Sequence, residues 1–531
     1  MRIDALDRRL WWAVLILACA LLTMPLLLVD VPPLLDYPNH LARMVLLAWP
    51  HDPVLARMAE PRWGLIPDLA IDAVLPPLLH VLPVHVAGRL AVTACVLLPF
   101  LGAVAYSGAV FRGRSWWVLG AGLVAWNQAL LLGFLNFSIS LGMALLLAAL
   151  WIAQRESHPV RTVLLAAAGA VVVFFCHLMG VLVFAALLGG YEAETLWRMA
   201  MRGPAGGGAQ RPRDATPRVA ASSAVRLAID GGVFLLPAAL YGLSPLRHLS
   251  DQAVFLPLSA KLAQLLVPLA NYSLPLDIAT AATVAAFLLL CLITRRCRMR
   301  LCSVLALLCF IVLYAVAPAA AKGAQNIDTR LLVTLGFLLF AGLLPGRLPT
   351  TVTRLAAACF AALFLARMVV FASTWQQSAA DIAALRGVIA RVEPGSSVFV
   401  AEISPEAAPL GWRHAPRWRR LSTGLRTDLQ MAALVLIDRH AFWPFLFDNE
   451  SQQPIALRPA YDALALRVGA MPLLGALRAV DLCGFDYVLV LDADLDPALA
   501  QGAPAHLVLL SQSGFAALFR VLPQPRACGG A

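Results

Sequence analysis

The strongest constraint on this chain is a series of about eleven apolar stretches. They lie near 10–29, 86–110, 116–134, 137–153, 160–176, 178–196, 228–246, 275–294, 301–319, 329–345 and 353–373. Each is close to the roughly 20 residues that an α-helix needs to cross a hydrocarbon core. In lipid, every backbone amide must find its partner inside the segment, so stretches of this kind fold as helices rather than open strands. With 61% hydrophobic and only 13% charged residues, the chain is too apolar for a soluble domain. It reads as an α-helical polytopic membrane protein. The first stretch follows Arg8 and Arg9 and runs into Asp30-Val31-Pro32-Pro33 rather than a small-residue cleavage site, which predicts a retained anchor and not a signal peptide.

The net charge of +11 does not point to nucleic acid, because the basic residues sit in short loops between apolar runs. Arg2, Arg8 and Arg9 precede the first stretch, Arg112 and Arg114 follow the second, and Arg155 and Arg161 follow the fourth. The 198–226 loop is basic, Arg295, Arg296, Arg298 and Arg300 follow the eighth stretch, and Arg347 and Arg354 follow the tenth. Every second loop is thus basic, the signature of cytoplasmic loops. With an odd number of spans, the N-terminus is expected inside and everything after the eleventh span outside.

Three regions stand apart from the spans. The outer loop 30–84 is long and carries apolar residues at helical spacing in 41–49 and 65–79, which predicts helices lying in the membrane interface. The segment 203–223 contains a Pro-Ala-Gly-Gly-Gly run and reads as a flexible cytoplasmic linker. Residues 376–531, after a transmembrane part of 1–375, read as a small extracytoplasmic α/β domain, with strands expected at 395–400, 485–491, 506–510 and 517–521. Most cysteines lie in apolar runs, where they act as small hydrophobes. Cys483 and Cys528 lie in the polar C-terminal part, where an oxidising compartment allows a disulfide.

Polar residues at the outer boundary are the candidates for chemistry. Asp36 and His40, four residues apart in Asp36-Tyr37-Pro38-Asn39-His40, share one face if Pro38 opens a helix. A carboxylate beside an imidazole is a reasonable general base. The same spacing fits Asp36 and Asn39 as caps of the helix beginning near Leu41, and both readings stand open. A second cluster spans Lys322-Gly323-Ala324-Gln325-Asn326-Ile327-Asp328-Thr329-Arg330. Lys322 and Arg330 suit a phosphate, with Asp328 placed to orient Arg330; an ordinary interfacial loop with snorkelling cations is the plainer reading. Asn127, Gln128, Asn136, His177, His248, Asp251 and Gln252 complete the outer polar set. Asp492-Ala493-Asp494 looks like a metal-binding DxD but reads better as a strand end, and no Walker loop, GxGxxG or HExxH is present.

The span count, the N-inside and C-outside topology, the acid in a long first outer loop and the extracytoplasmic C-terminal domain together resemble the GT-C superfamily. These polytopic glycosyltransferases use lipid-phosphate-linked sugars and include protein O-mannosyltransferases and bacterial aminoarabinose transferases. Family members often carry a pair of acids in the first outer loop; here Asp36 is followed by Tyr37. The resemblance implies a bacterial inner-membrane enzyme with a periplasmic C-terminal domain. Its donor would be a polyprenyl-phosphate sugar and its acceptor a glycan, lipid or protein of the envelope. Asp36 with His40 would act on the acceptor. Lys322 and Arg330 would hold the leaving phosphate, with Asp328, Asn326, Arg43, Asn136, His177 and His248 around them. No residue is assigned to a metal, a divalent cation is the one cofactor left open, and nucleic acid is not a partner. A transporter or flippase, or a non-catalytic assembly factor for lipid-linked saccharides, is the alternative. Against transport, the spans carry little charge at their centres and no internal repeat is visible.

Overall fold

A computed structural model describes residues 5–202, 215–250, 252–402, 416–468, 477, 481–495 and 503–523. Every expected apolar stretch contains helix. The long helices are α1 (Ala5–Thr23), α4 (Val84–Phe111), α5 (Leu135–Gln154), α6 (Pro159–Cys176), α7 (Leu178–Arg202), α10 (Leu274–Ile293) and α13 (Thr350–Ile389), with α8 (Ala215–Gly232) and α9 (Leu235–Leu243) forming a pair bent by 44°. Among the described residues, seven helices are long and apolar enough to cross a membrane, or eight if the bent pair is one span. The remaining three expected spans are shorter: 117–131 is a broken helix, α11 (Leu301–Val316) has 16 residues and α12 (Ile327–Ala341) has 15. The 117–131 segment is buried by protein along most of its length, which explains how it tolerates a non-helical break. α4 and α5 cross closely, and a Cβ on Gly102 would lie 2.7 Å from the Gly142 carbonyl, so small residues set that distance.

The basic loops gather at one end of the bundle, and acids meet them there. Arg155 pairs with Asp230 (2.8 Å), Arg226 with Glu192 and Glu156 (both 2.7 Å), and Arg300 with Glu194 (3.0 Å). The expected linker lies outside the described residues over 203–214, whereas from Ala215 onward the chain is helical.

The opposite end carries the outer loop. Its helices are α2 (Tyr37–Ala48) and α3 (Ala70–Leu79). Of the two helices expected in the membrane interface, α3 leaves Val74 exposed, whereas α2 has 11 of its 12 residues buried and so does not lie there. The reason is a roof: the C-terminal helix α14 (Leu434–Arg439) packs on α2, and the outer-loop strand β1 (Ala59–Pro61) pairs antiparallel with β5 (Ile455–Leu457) of the C-terminal part. A second small pair, β2 (Cys297–Met299) with β3 (Leu343–Pro345), lies in the basic loops.

The four remaining strands form one sheet in the order β4 (Val398–Glu402), β6 (Tyr487–Leu491), β8 (Ala516–Val521), β7 (Leu507–Ser513). β4 runs parallel to β6 and the other neighbours are antiparallel. All five residues of β6 are buried, as an apolar run covered on both faces requires. Val488 and Val490 face a small cluster with Phe399 and Phe485, whereas Tyr487, Leu489 and Leu491 face the main core. α13 continues past residue 376 to pack against β7 and β8, so one 40-residue helix joins bundle and sheet. Asp492 and Asp494 do not form an open DxD site. Both carboxylates are taken up by Arg419 and Arg426 in a hub that also holds Asp381 and Asp428. Cys483 is disulfide-bonded, the eight cysteines from Cys19 to Cys359 are free, and Cys528 lies outside the described residues.

Candidate active site

Asp36 sits at the head of α2, held by backbone on one side. The Leu35 and Asp36 amides donate to the Leu131 and Leu132 carbonyls at 3.0 and 3.1 Å. That turn ends in Gly133 at φ +92°, where a Cβ would stand 2.8 Å from the Asp36 Cβ and amide nitrogen. Only glycine gives both the backbone conformation and the space. Asp36 occupies the N-cap position without capping through its side chain, so the capping expectation fails. Its Oδ1 instead accepts from Gln430 Nε2 at 3.0 Å. Burial pushes its carboxyl up to about 7, against the fields of Arg330 and Arg43, which favour the charged form.

His40 lies one turn further on, but its ring is not hydrogen-bonded to Asp36; it packs edge-on against Phe447 at 5.7 Å. Burial, with the nearby Arg43 charge, pushes its imidazole down to about 3. It is therefore a neutral neighbour and not a cationic partner. Arg43, on the next turn, forms a two-pronged bond with Asp72 of α3 at 2.6 and 3.1 Å, and its Nη1 is left without a partner.

Arg330 is the fourth residue of α12 and is buried. Its guanidinium lies 4.3 Å over the Phe134 ring, its Nε has no hydrogen-bond partner, and Asp68 and Asp36 are the negative charges acting on it. Buried donors are normally paired, which singles out this guanidinium as a candidate binding group. His177 is near enough to feel the Arg330 charge; its Nδ1 accepts from the Met179 amide at 3.0 Å. Asn136 donates to the Asp68 carbonyl (2.7 Å) and accepts from the Ile71 amide (3.1 Å), holding the entry to α3.

Asp68 was not expected from the sequence. It has φ +84°, its Oδ1 is buried without a partner, and its carboxyl is raised to about 7 by burial and by the neighbouring Asp72. A non-glycine residue at positive φ beside an ion site is strain of the kind found at functional sites. The sequence signal was an acid inside the same outer loop, directly before an apolar helix. Asp72, buried in that helix, carried a similar signal. Gln430 carried none.

The other expected members fall away from this cluster. Lys322 donates to the Arg247 and Leu249 carbonyls, both at 3.0 Å, and so closes a turn instead of meeting a phosphate. His248 is exposed and accepts from Arg247. Asp328 does not orient Arg330: its Oδ1 accepts from the Thr329 amide and its Oδ2 has no partner. Asn326 starts α12 at φ +55° without a side-chain cap. Asn127 caps a short turn, Gln128 accepts from Thr423, and Asp251 lies outside the described residues. Among the described residues, no group of three or more metal-ligating side chains is present.

No family model matches the sequence, and no curated protein does. Among solved structures, the chain is similar to ArnT from Cupriavidus metallidurans in the apo state. The two share 13% identity over 97% of this chain and 100% of that one, with a TM-score of 0.49. A likeness this distant says nothing of chemistry.

Proposed function

We propose that this protein is a polytopic glycosyltransferase of the GT-C kind that moves a sugar from a polyprenyl-phosphate donor to an envelope acceptor on the outer face of a bacterial inner membrane. The observation that carries the reading is a buried carboxylate poised near neutrality, Asp36, lying within the electrostatic field of the buried Arg330 guanidinium, whose Nε has no hydrogen-bond partner. A general base works best when its pKa lies close to the working pH. Asp36 takes the proton of the acceptor hydroxyl or amine as that atom attacks the anomeric carbon, with inversion. The bond to the lipid phosphate breaks, and Arg330 with the spare Nη1 of Arg43 stabilises the phosphate charge that develops. Asp68, an acceptor-only group when ionised, offers its Oδ1 to a sugar hydroxyl. Lys322 and His248 have no part in this arrangement, and His40 is a neutral neighbour that exchanges no proton.

Two measurements on the reconstituted full-length protein test it. Transfer from radiolabelled polyprenyl-phosphate sugars should fall at least a hundredfold in Asp36→Asn, while binding of polyprenyl phosphate itself is kept. Binding of polyprenyl phosphate should weaken about tenfold or more in Arg330→Ala. Undiminished transfer by folded Asp36→Asn, or unchanged lipid-phosphate affinity in Arg330→Ala, sinks the corresponding role.

A further inference from the structure

We propose that Gln430, carried by the C-terminal domain, is a positioning residue for Asp36, the last donor in a one-way chain of hydrogen bonds that aims the Asp36 carboxylate. The proposal rests on the reading of Asp36 as the base. The polarity of the chain is fixed by backbone groups that have no choice. The Phe447 amide can only donate, and it donates to Asn39 Oδ1 at 2.9 Å. The Phe445 carbonyl can only accept, and it accepts from Asn39 Nδ2 at 2.8 Å. The Asn39 amide is thereby oriented from both ends, and its Nδ2 also donates to Gln430 Oε1 at 2.5 Å. With its oxygen so engaged, Gln430 must turn its Nε2 toward Asp36, where it donates to Oδ1 at 3.0 Å. Each amide has one orientation that satisfies the network, so no flip relieves Asp36 of its donor.

Gln430 is held from behind. Two residues upstream, Asp428 pairs with Arg426, which binds Asp492 through two contacts of 2.8 Å. Downstream, Met431 to Leu434 are buried and the 431–433 turn packs against α2. The side chain is therefore presented by a rigid segment, the condition for pre-organising a reactive group.

A donor that cannot become an acceptor favours the ionised carboxylate and disfavours a proton on the same oxygen. The charged groups acting on Asp36 are Arg43 of its own helix and Arg330 of α12, and the neutral His40 ring lies one turn away. Gln430 adds an uncharged donor from a third direction. It fixes which carboxylate oxygen is engaged and leaves Oδ2 for the acceptor proton.

The test needs no substrate. A hydrophobic carbodiimide reacts with protonated carboxyl groups, and its adduct on Asp36 can be followed by mass spectrometry from pH 5 to 9 in the full-length protein, with Asp36→Asn identifying the site. Wild-type labelling should halve near pH 7. In Gln430→Met the half-point should move up by about one unit, so that labelling at pH 9 rises about tenfold. Should Gln430→Met not fold, Gln430→Glu keeps the shape and sets acceptor against acceptor, and it should raise the half-point as well. A half-point that stays put in a folded variant overturns the positioning role, even if Asp36→Asn abolishes transfer. A half-point that moves while Asp36→Asn still transfers supports the hydrogen-bond chain and removes the base.

Discussion

At the scale of single residues, the site is decided by which charges are allowed to stay buried. Asp36 and Asp68 are both raised to about 7 chiefly by burial. Each keeps its proton in the folded state between pH 4 and 7, where the unfolded chain has released it. Their contribution to stability therefore falls as pH rises across that window, the reverse of a salt-bridged carboxylate. Replacement by the neutral isostere should remove the loss: Asp36→Asn and Asp68→Asn should each melt a few degrees higher than wild type at pH 8 and show no gain at pH 4, as scanning fluorimetry against pH can check. The same ionisation governs activity if Asp36 is the base, and kcat/KM should rise about tenfold per pH unit below 7 and level off above it. His40 acts oppositely. With its imidazole pushed down to about 3, folding loses stability as pH falls from 6.5 toward 3. Asp36 was legible in the sequence because an acid beside an apolar span is conspicuous. Its partner Gln430 was not, since the two are 394 residues apart.

At the scale of elements, α2 and α3 are clasped by one buried ion pair. Arg43 and Asp72 are fully enclosed, and removing one partner strands the other charge in a low dielectric at a cost of about 3–5 kcal/mol. Asp72→Ala should therefore lower stability by about that amount and displace α3 together with Asp68. Equilibrium unfolding in urea measures the first effect. The turn at Gly133 is a second pressure point. Gly133→Ala forces a side chain into a positive-φ position and into Asp36, so transfer should drop by an order of magnitude or more while α4 and α5 keep their amide-exchange protection. Sequence periodicity located both outer helices within a few residues. It could not tell that α2 would be roofed while α3 stayed at the surface, because the covering helix α14 lies almost 400 residues further on.

At the scale of the whole molecule, three joints fix the C-terminal domain to the bundle: the continuous helix α13, the β1–β5 pair, and the packing of α14 on α2; the Arg419–Arg426 hub ties the domain together internally. The hub anchors the segment that carries Gln430. Arg426→Ala should expose Asp492 and Asp428 to each other, speed amide exchange across 428–447, and leave exchange in α4 and α5 unchanged. Equal protection of 428–447 in wild type and variant would count against the hub as the anchor. What the sequence determined by itself is the membrane character, the positions of the helices, the strands of the C-terminal sheet and the place of Asp36 at the head of a loop helix. These follow from local hydropathy and from the charge of short loops, which act within one segment at a time. Only the tertiary structure decided which polar groups meet: Asp68 came to lie in the field of Arg330, Lys322 and His248 stood apart, and Gln430 reached Asp36 from another domain. Such contacts depend on how helices cross and which surfaces are covered, and a cation such as Lys322 carries the same local sequence signal whether it finds a phosphate or two carbonyl oxygens.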